Sequence, residues 1–192
     1  MEREALLAAL RERALLEGDF VLRSGRRSRY YLDKYRFETQ PDLLRAIGAR
    51  LAAELAEAEP EATLIAGPEL GAVALAAATS LASGLPFLIV RKGAKGYGTA
   101  KQIEGVFEAG ERACLVEDVV TSGGAALAAV EALREAALEC ATVLCVVDRE
   151  EGGREALAER GVSLRPVFRA TELLEMGKVQ QTRMVERKAD GW

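Results

Sequence analysis

Four short apolar runs, at 63–66, 87–90, 113–116 and 142–147, recur along this chain. Each is apolar at consecutive positions, so the strand it forms needs cover on both faces. The stretches at about 70–83 and 123–138 between them suit helices. Strands alternating with helices are joined by crossovers in a parallel sheet. The pattern therefore predicts an α/β fold, a parallel sheet flanked by helices. A further strand is expected over 162–168, then a short helix capped by Thr171 with Glu172 in its first turn.

The first third of the chain reads differently. Leu6, Leu7, Leu10 and Ala14 lie at helical spacing in a segment 2–16 that ends near Gly18. Apolar residues at 20–22 and 30–32 flank a polar turn at 24–28, the signature of a hairpin or small ribbon. Pro41 then suits the first turn of a second amphipathic helix carrying Leu43, Leu44, Ile47, Leu51 and Leu55. The expected organisation is one domain over 1–192, with an amino-terminal helix and hood at 1–40 and a parallel α/β core at 60–175.

Charge and composition narrow the function. With 26 Lys and Arg against 30 Asp and Glu, the net charge is −4, so nucleic acid is not an expected partner. No apolar run approaches the roughly 20 residues that a bilayer-spanning helix needs, and no leader pattern opens the chain; no membrane partner and a cytoplasmic location are expected. Cys114, Cys140 and Cys145 lie in apolar segments without metal-ligand spacing and read as buried thiols. The chain has no His, which removes the usual general base near neutral pH.

The stretch 113–126 carries the chemistry. An apolar strand delivers Glu117 and Asp118 to its carboxyl end, where ligands bind in open α/β sheets. The loop Thr121, Ser122, Gly123, Gly124, Ala125 then offers backbone N–H groups, two hydroxyls and a helix amino terminus to a phosphate. The carboxylates cannot favour that phosphate, but hydrogen bonds to ribose hydroxyls, direct or through hydrated Mg²⁺, suit them. An isolated acidic pair could merely end a strand; the whole order of strand, pair, loop and helix argues against that. A second segment, 90–105, interleaves glycines with Arg91, Lys92, Lys95 and Lys101 around Tyr97. By itself it reads equally well as a solvated turn or as a basic loop for an anion. The turn Pro68, Glu69, Leu70, Gly71 follows the first core strand, and Arg149 follows the fourth, where it is either a cation for an anionic ligand or half of a surface ion pair.

The stretch 114–125 closely resembles the phosphoribosyl pyrophosphate (PRPP) signature of the type I phosphoribosyltransferases. The runs 20–34 and 90–105 resemble the hood and flexible loop of the orotate branch of that family, and the likeness extends from about Leu15 to Leu174. It implies transfer of a phosphoribosyl group to orotate with release of pyrophosphate. Lys95 and Asp118 would be the catalytic residues. PRPP would be bound by Arg91, Lys92, Glu117, Asp118, Val119, Val120, Thr121, Ser122, Gly123, Gly124 and Ala125. Orotate would meet Arg23, Tyr30, Tyr31, Thr121 and Arg149, and the pyrophosphate loop would be Pro68, Glu69, Leu70 and Gly71. The resemblance also implies Mg²⁺ held through substrate and water with no direct protein ligand, and a homodimer with shared active sites. Arg23 stands where many members have Lys, and Tyr97 where a His commonly follows the catalytic Lys. The pyrophosphate loop has no Lys, which shifts that contact to Lys92 and metal. The alternatives are a purine-using member and a PRPP-sensing regulator without turnover; Lys95 and the lack of spare length for a nucleic-acid-binding module argue against the regulator.

Overall fold

The computed structural model describes residues 1–21, 25, 27–93 and 102–176. Arg23, Lys95, Tyr97 and the tail beyond residue 176 lie outside them.

An amino-terminal helix α1 (Arg3–Ala14) runs directly into strand β1 (Leu15–Val21), which pairs antiparallel with β2 (Arg27–Leu32). The helix ends earlier than Gly18 because Leu15 and Leu16 are drawn into the ladder, opposite Leu32 and Tyr31. A single helical turn α2 (Tyr35–Glu38) and the long helix α3 (Pro41–Ala58) follow, with Pro41 in the first turn as expected. The core then alternates: β3 (Leu64–Pro68), α4 (Gly71–Ser83), β4 (Phe87–Val90), β5 (Ile103–Glu104), β6 (Ala113–Val120), α5 (Gly124–Glu135), β7 (Thr142–Asp148), α6 (Gly153–Ala158) and β8 (Ser163–Arg169).

The six-stranded sheet has the order β5-β4-β3-β6-β7-β8. All neighbours pair in parallel except the short edge strand β5, which returns antiparallel to β4. Consecutive core residues serve opposite layers, which is why the apolar runs are unbroken. Ile65, Cys114, Val116, Leu144 and Val146 pack with α1, α3 and α4, whereas Leu64, Ala66, Leu115, Val143 and Cys145 pack with α5 and α6. All three cysteines are buried and free. Among the described residues, no helix is long and apolar enough to cross a membrane.

The amino-terminal segment is fastened to the end of the core. Arg3 donates to the Val167 carbonyl and to Glu172, and Arg11 donates to the Leu173 carbonyl. Helical residues over 170–176 supply that contact. Thr171 is inside this helical stretch and does not cap it. Glu172 reaches back instead, accepting from the Arg169 N–H at 2.8 Å, while the Thr171 N–H donates to Glu150.

The strand order reverses between β3 and β6. Connections from β3 lead outward through β4 and those from β6 outward through β7, so the crevice beyond their carboxyl ends is the switch point at which this kind of sheet takes a ligand.

Candidate active site

Strand β6 continues past its apolar half because its backbone stays paired with β7: Glu117 opposite Cys145, Val119 opposite Val147, Val120 opposite Asp148. That register carries Glu117 and Asp118 into the crevice while leaving each less than a tenth exposed. Asp118 Oδ1 accepts from the Val119 N–H at 2.6 Å. Its Oδ2 accepts from Lys34 Nζ at 2.5 Å, a partner from the junction of β2 and α2. Burial works against the charge on Lys34, yet the hydrogen bond and charge of Asp118 outweigh it and raise the lysine pKa. The reverse holds for the other carboxyls. Burial, reinforced by the charge of Asp118, pushes Glu117 up to about 8 and Glu38 up to about 7. Asp118 is thus paired with a cation while its two acidic neighbours are biased toward the neutral form.

The loop after β6 turns outward. Thr121 and Ser122 are exposed, Gly123 adopts φ +80° at the helix cap, and Gly124 and Ala125 open α5 on its exposed side. The ladder of α5 begins with Leu127 N–H donating to the Gly123 carbonyl, so the N–H groups ahead of it point toward any anion placed there. Gly153, the first residue of α6, braces the loop from behind. A methyl group on it would lie 2.5 Å from the Thr121 carbonyl oxygen and 3.1 Å from the Gly123 nitrogen. The Arg149 N–H adds a tie to the Val120 carbonyl at 2.9 Å.

Across the crevice, the turn after β3 is held by the Glu69 N–H donating to the Val90 carbonyl and by Glu69 Oε1 accepting from the Lys92 N–H at 2.8 Å. Gly71 approaches so closely that a methyl group there would collide with the Asp118 carboxylate and lie 2.7 Å from Lys34 Nζ. Arg91 is anchored at its backbone, its N–H donating to the Gln102 carbonyl and its own carbonyl accepting from Gln102 Nε2.

The third wall joins hood and core. The Arg149 guanidinium lies under the Tyr30 ring and pairs with Glu151 at 2.8 Å, with the arginine side chain only 8% exposed. Asp148 has a different partner, Arg154. Strand alternation puts Tyr31 on the other face of β2, where its ring packs 5.7 Å from that of Phe20. Tyr30 and Arg149 therefore meet, and Tyr31 is not beside them.

The two carboxylates, the loop 121–125, the turn 68–71, Tyr30 and Arg149 converge on the same crevice, with Arg91 and Lys92 at its edge. Three participants were not singled out in the sequence for any task. Lys34 precedes, and Glu38 ends, a four-residue helical turn too short to show a period, and Gly153 looks like an ordinary turn glycine. Only the burial of charge on α2 signals the first two, and burial is not visible before folding.

Comparison with known proteins agrees with this geometry. A family model for the phosphoribosyl transferase domain matches residues 36–167. The orotate phosphoribosyltransferase of Methanocella arvoryzae is 52% identical over 82% of this chain and 88% of its own length. Among solved structures, the orotate phosphoribosyltransferase of Aeropyrum pernix superposes with a TM-score of 0.78 at 35% identity, covering 89% of this chain and 97% of that one. The orotate phosphoribosyltransferase of Mycobacterium tuberculosis in complex with PRPP gives 0.75 at 33% identity, covering 89% of this chain and 98% of that one. Fold, crevice and matched span together define a phosphoribosyltransferase. Its relatives over most of its length place the chain in the orotate phosphoribosyltransferase family.

Proposed function

We propose that this protein transfers the phosphoribosyl group of PRPP to N1 of orotate, giving orotidine 5′-monophosphate and pyrophosphate in pyrimidine biosynthesis. The observation that carries the reading is the convergence of the Thr121–Ala125 loop, buried Asp118 and the Arg149–Tyr30 pair on one crevice. The loop N–H groups and the hydroxyls of Thr121 and Ser122 take the 5′-phosphate. Asp118 and Glu117 accept hydrogen bonds from the ribose hydroxyls, and Arg149 meets the orotate carboxylate.

The 5′-phosphate and the base fix the ribose at its two ends, so the anomeric carbon faces N1 with little further motion. As the bond to pyrophosphate breaks, positive charge grows on the ribose ring and negative charge on the leaving group. Asp118 is a fixed anion beside the ribose. Arg91, Lys92 and Lys95 are the cations assigned to the leaving group, with Lys95 lying outside the described residues. Among the described residues, no group of three or more acidic or cysteine side chains is arranged to hold a metal. Mg²⁺ is read as part of the substrate, carried on the diphosphate, where it would neutralise charge. Arg23 is assigned to the base and also lies outside the described residues.

The assembly we propose is a homodimer with shared active sites, working in the cytoplasm. The whole reading is tested by incubation with PRPP, Mg²⁺ and a panel of bases. Loss of orotate absorbance with little turnover of uracil or the purines is expected. Preference for a purine would move the protein to another branch of the family.

A further inference from the structure

Lys34 stands where the end of β6 and the turn after β3 come together. Its ammonium touches Asp118 at 2.5 Å, stands 2.7 Å from the space a methyl on Gly71 would fill, and lies 5.4 Å from the centre of the Tyr35 ring. The groups facing it are Asp118, Glu38 and Tyr35, and its side chain remains one-third exposed. The loop it stands against, Gly67–Gly71, contains no cation and carries one anion, Glu69. A diphosphate settling on that loop would meet backbone N–H groups but no positive charge of the loop's own.

We infer that Lys34 supplies the positive charge of the pyrophosphate loop, reaching it from the amino-terminal hood while Asp118 holds it in place. An ammonium has three donors, and Asp118 occupies one. The open side leaves the others for diphosphate oxygens, as charge-assisted hydrogen bonds. The pairing serves both partners, because the ammonium also offsets the repulsion that the Asp118 carboxylate would exert on an incoming diphosphate. Gly71 is the residue that lets strand, hood and loop come this close. The arrangement makes the hood part of the PRPP site as well as a cover for the base.

This inference rests on the proposed function, and binding measurements separate the two. Wild-type protein, Lys34→Met and Lys34→Gln are titrated calorimetrically with Mg²⁺-pyrophosphate and, separately, with ribose 5-phosphate. Lys34→Met is expected to weaken pyrophosphate about 10-fold or more while leaving ribose 5-phosphate within about 2-fold. Lys34→Gln keeps a donor for Asp118 and should fold even if the Met variant does not; it is expected to show the same selective loss, and Lys34→Arg to restore most of it. Unchanged pyrophosphate affinity overturns the inference. So does an equal loss for both ligands, since Lys34 would then only shape Asp118. A wild-type protein that binds neither ligand refutes the functional reading itself.

Discussion

The guanidinium of Arg149 lies 5.0 Å from the centre of the Tyr30 ring, so the carboxyl end of β7 and the amino-terminal ribbon meet through this pair. A stacked, nearly buried arginine is restricted in direction, and contacts of this kind contribute about 0.5–2 kcal/mol. One nitrogen of its fork is held by Glu151, while Nε is buried without a hydrogen-bond partner among the described residues. Arg149→Ala is expected to raise the KM for orotate about 10- to 100-fold and that for PRPP by less than about 3-fold. Steady-state kinetics with each substrate varied decides it. Equal rises in both would reduce Arg149 to the ion-pair partner of Glu151.

Gly153 yields a prediction about a residue far from either substrate in sequence. Adding a methyl group there forces it against the Thr121 carbonyl and the Val120 side chain, at 2.5 and 2.6 Å. Both atoms belong to the strand end and loop to which the 5′-phosphate is assigned in the proposed function, so relief must displace that loop. Gly153→Ala should cost about 1–3 kcal/mol of stability and raise the KM for PRPP more than that for orotate. Thermal melts and kinetics check the two halves, and an unchanged PRPP constant would show that α6 does not brace the loop.

Stability should fall with rising pH because of Glu117. Burial, then the charge of Asp118, raises its folded pKa to about 8 from an ordinary value of 4.5. The folded state therefore binds more protons than the unfolded chain between those values, and folding is favoured below about 4.5 relative to above about 8. Other groups add their own slopes, so the informative quantity is a difference. Glu117→Gln removes this contribution, and the drop in Tm between pH 5.5 and 8.5 should be smaller in the variant than in the wild type. Parallel curves for the two proteins would mean that Glu117 is ionised at little cost.

Assembly is tested by complementation between lesions. If Lys95 serves the neighbouring subunit while Asp118 serves its own, Lys95→Ala and Asp118→Asn homodimers are each nearly inactive. A hybrid then gathers both lesions in one site and leaves the other intact. Random pairing makes half the dimers hybrid, so mixing after dissociation should recover about a quarter of wild-type activity. Hybrids that form but stay inactive would place Lys95 in its own subunit's site.

How much of this was legible beforehand varied with the range of the interaction. The strand at Phe87–Val90 was bounded correctly because an unbroken apolar run between turns is a local signal. Strand β6 was read four residues short, because Glu117 and Asp118 look like an ending until β7 is alongside to keep their backbone paired. The turn from β6 into α5 was legible because its small residues are contiguous. The Lys34–Asp118 contact spans 84 residues, with no local pattern in the sequence that links the two. Nothing short of the fold brings them together. Thr171 is not the cap because the helical stretch already begins at 170, directly after β8, which places Thr171 inside its first turn.

The antiparallel return of β5 against β4 has a bearing on chain entropy. Arg91 and Gln102 are clasped to each other at backbone and side chain, so the ends of segment 92–101 are brought together by the sheet itself. Strand pairing helps to meet the entropy cost of closing the chain between these two residues, and doubling the number of residues between them would add only about 0.6 kcal/mol. The segment proposed to bear Lys95 can therefore vary in length and composition with little effect on the melting of the sheet. Evolution can retune the loop while the scaffold that presents it keeps its stability.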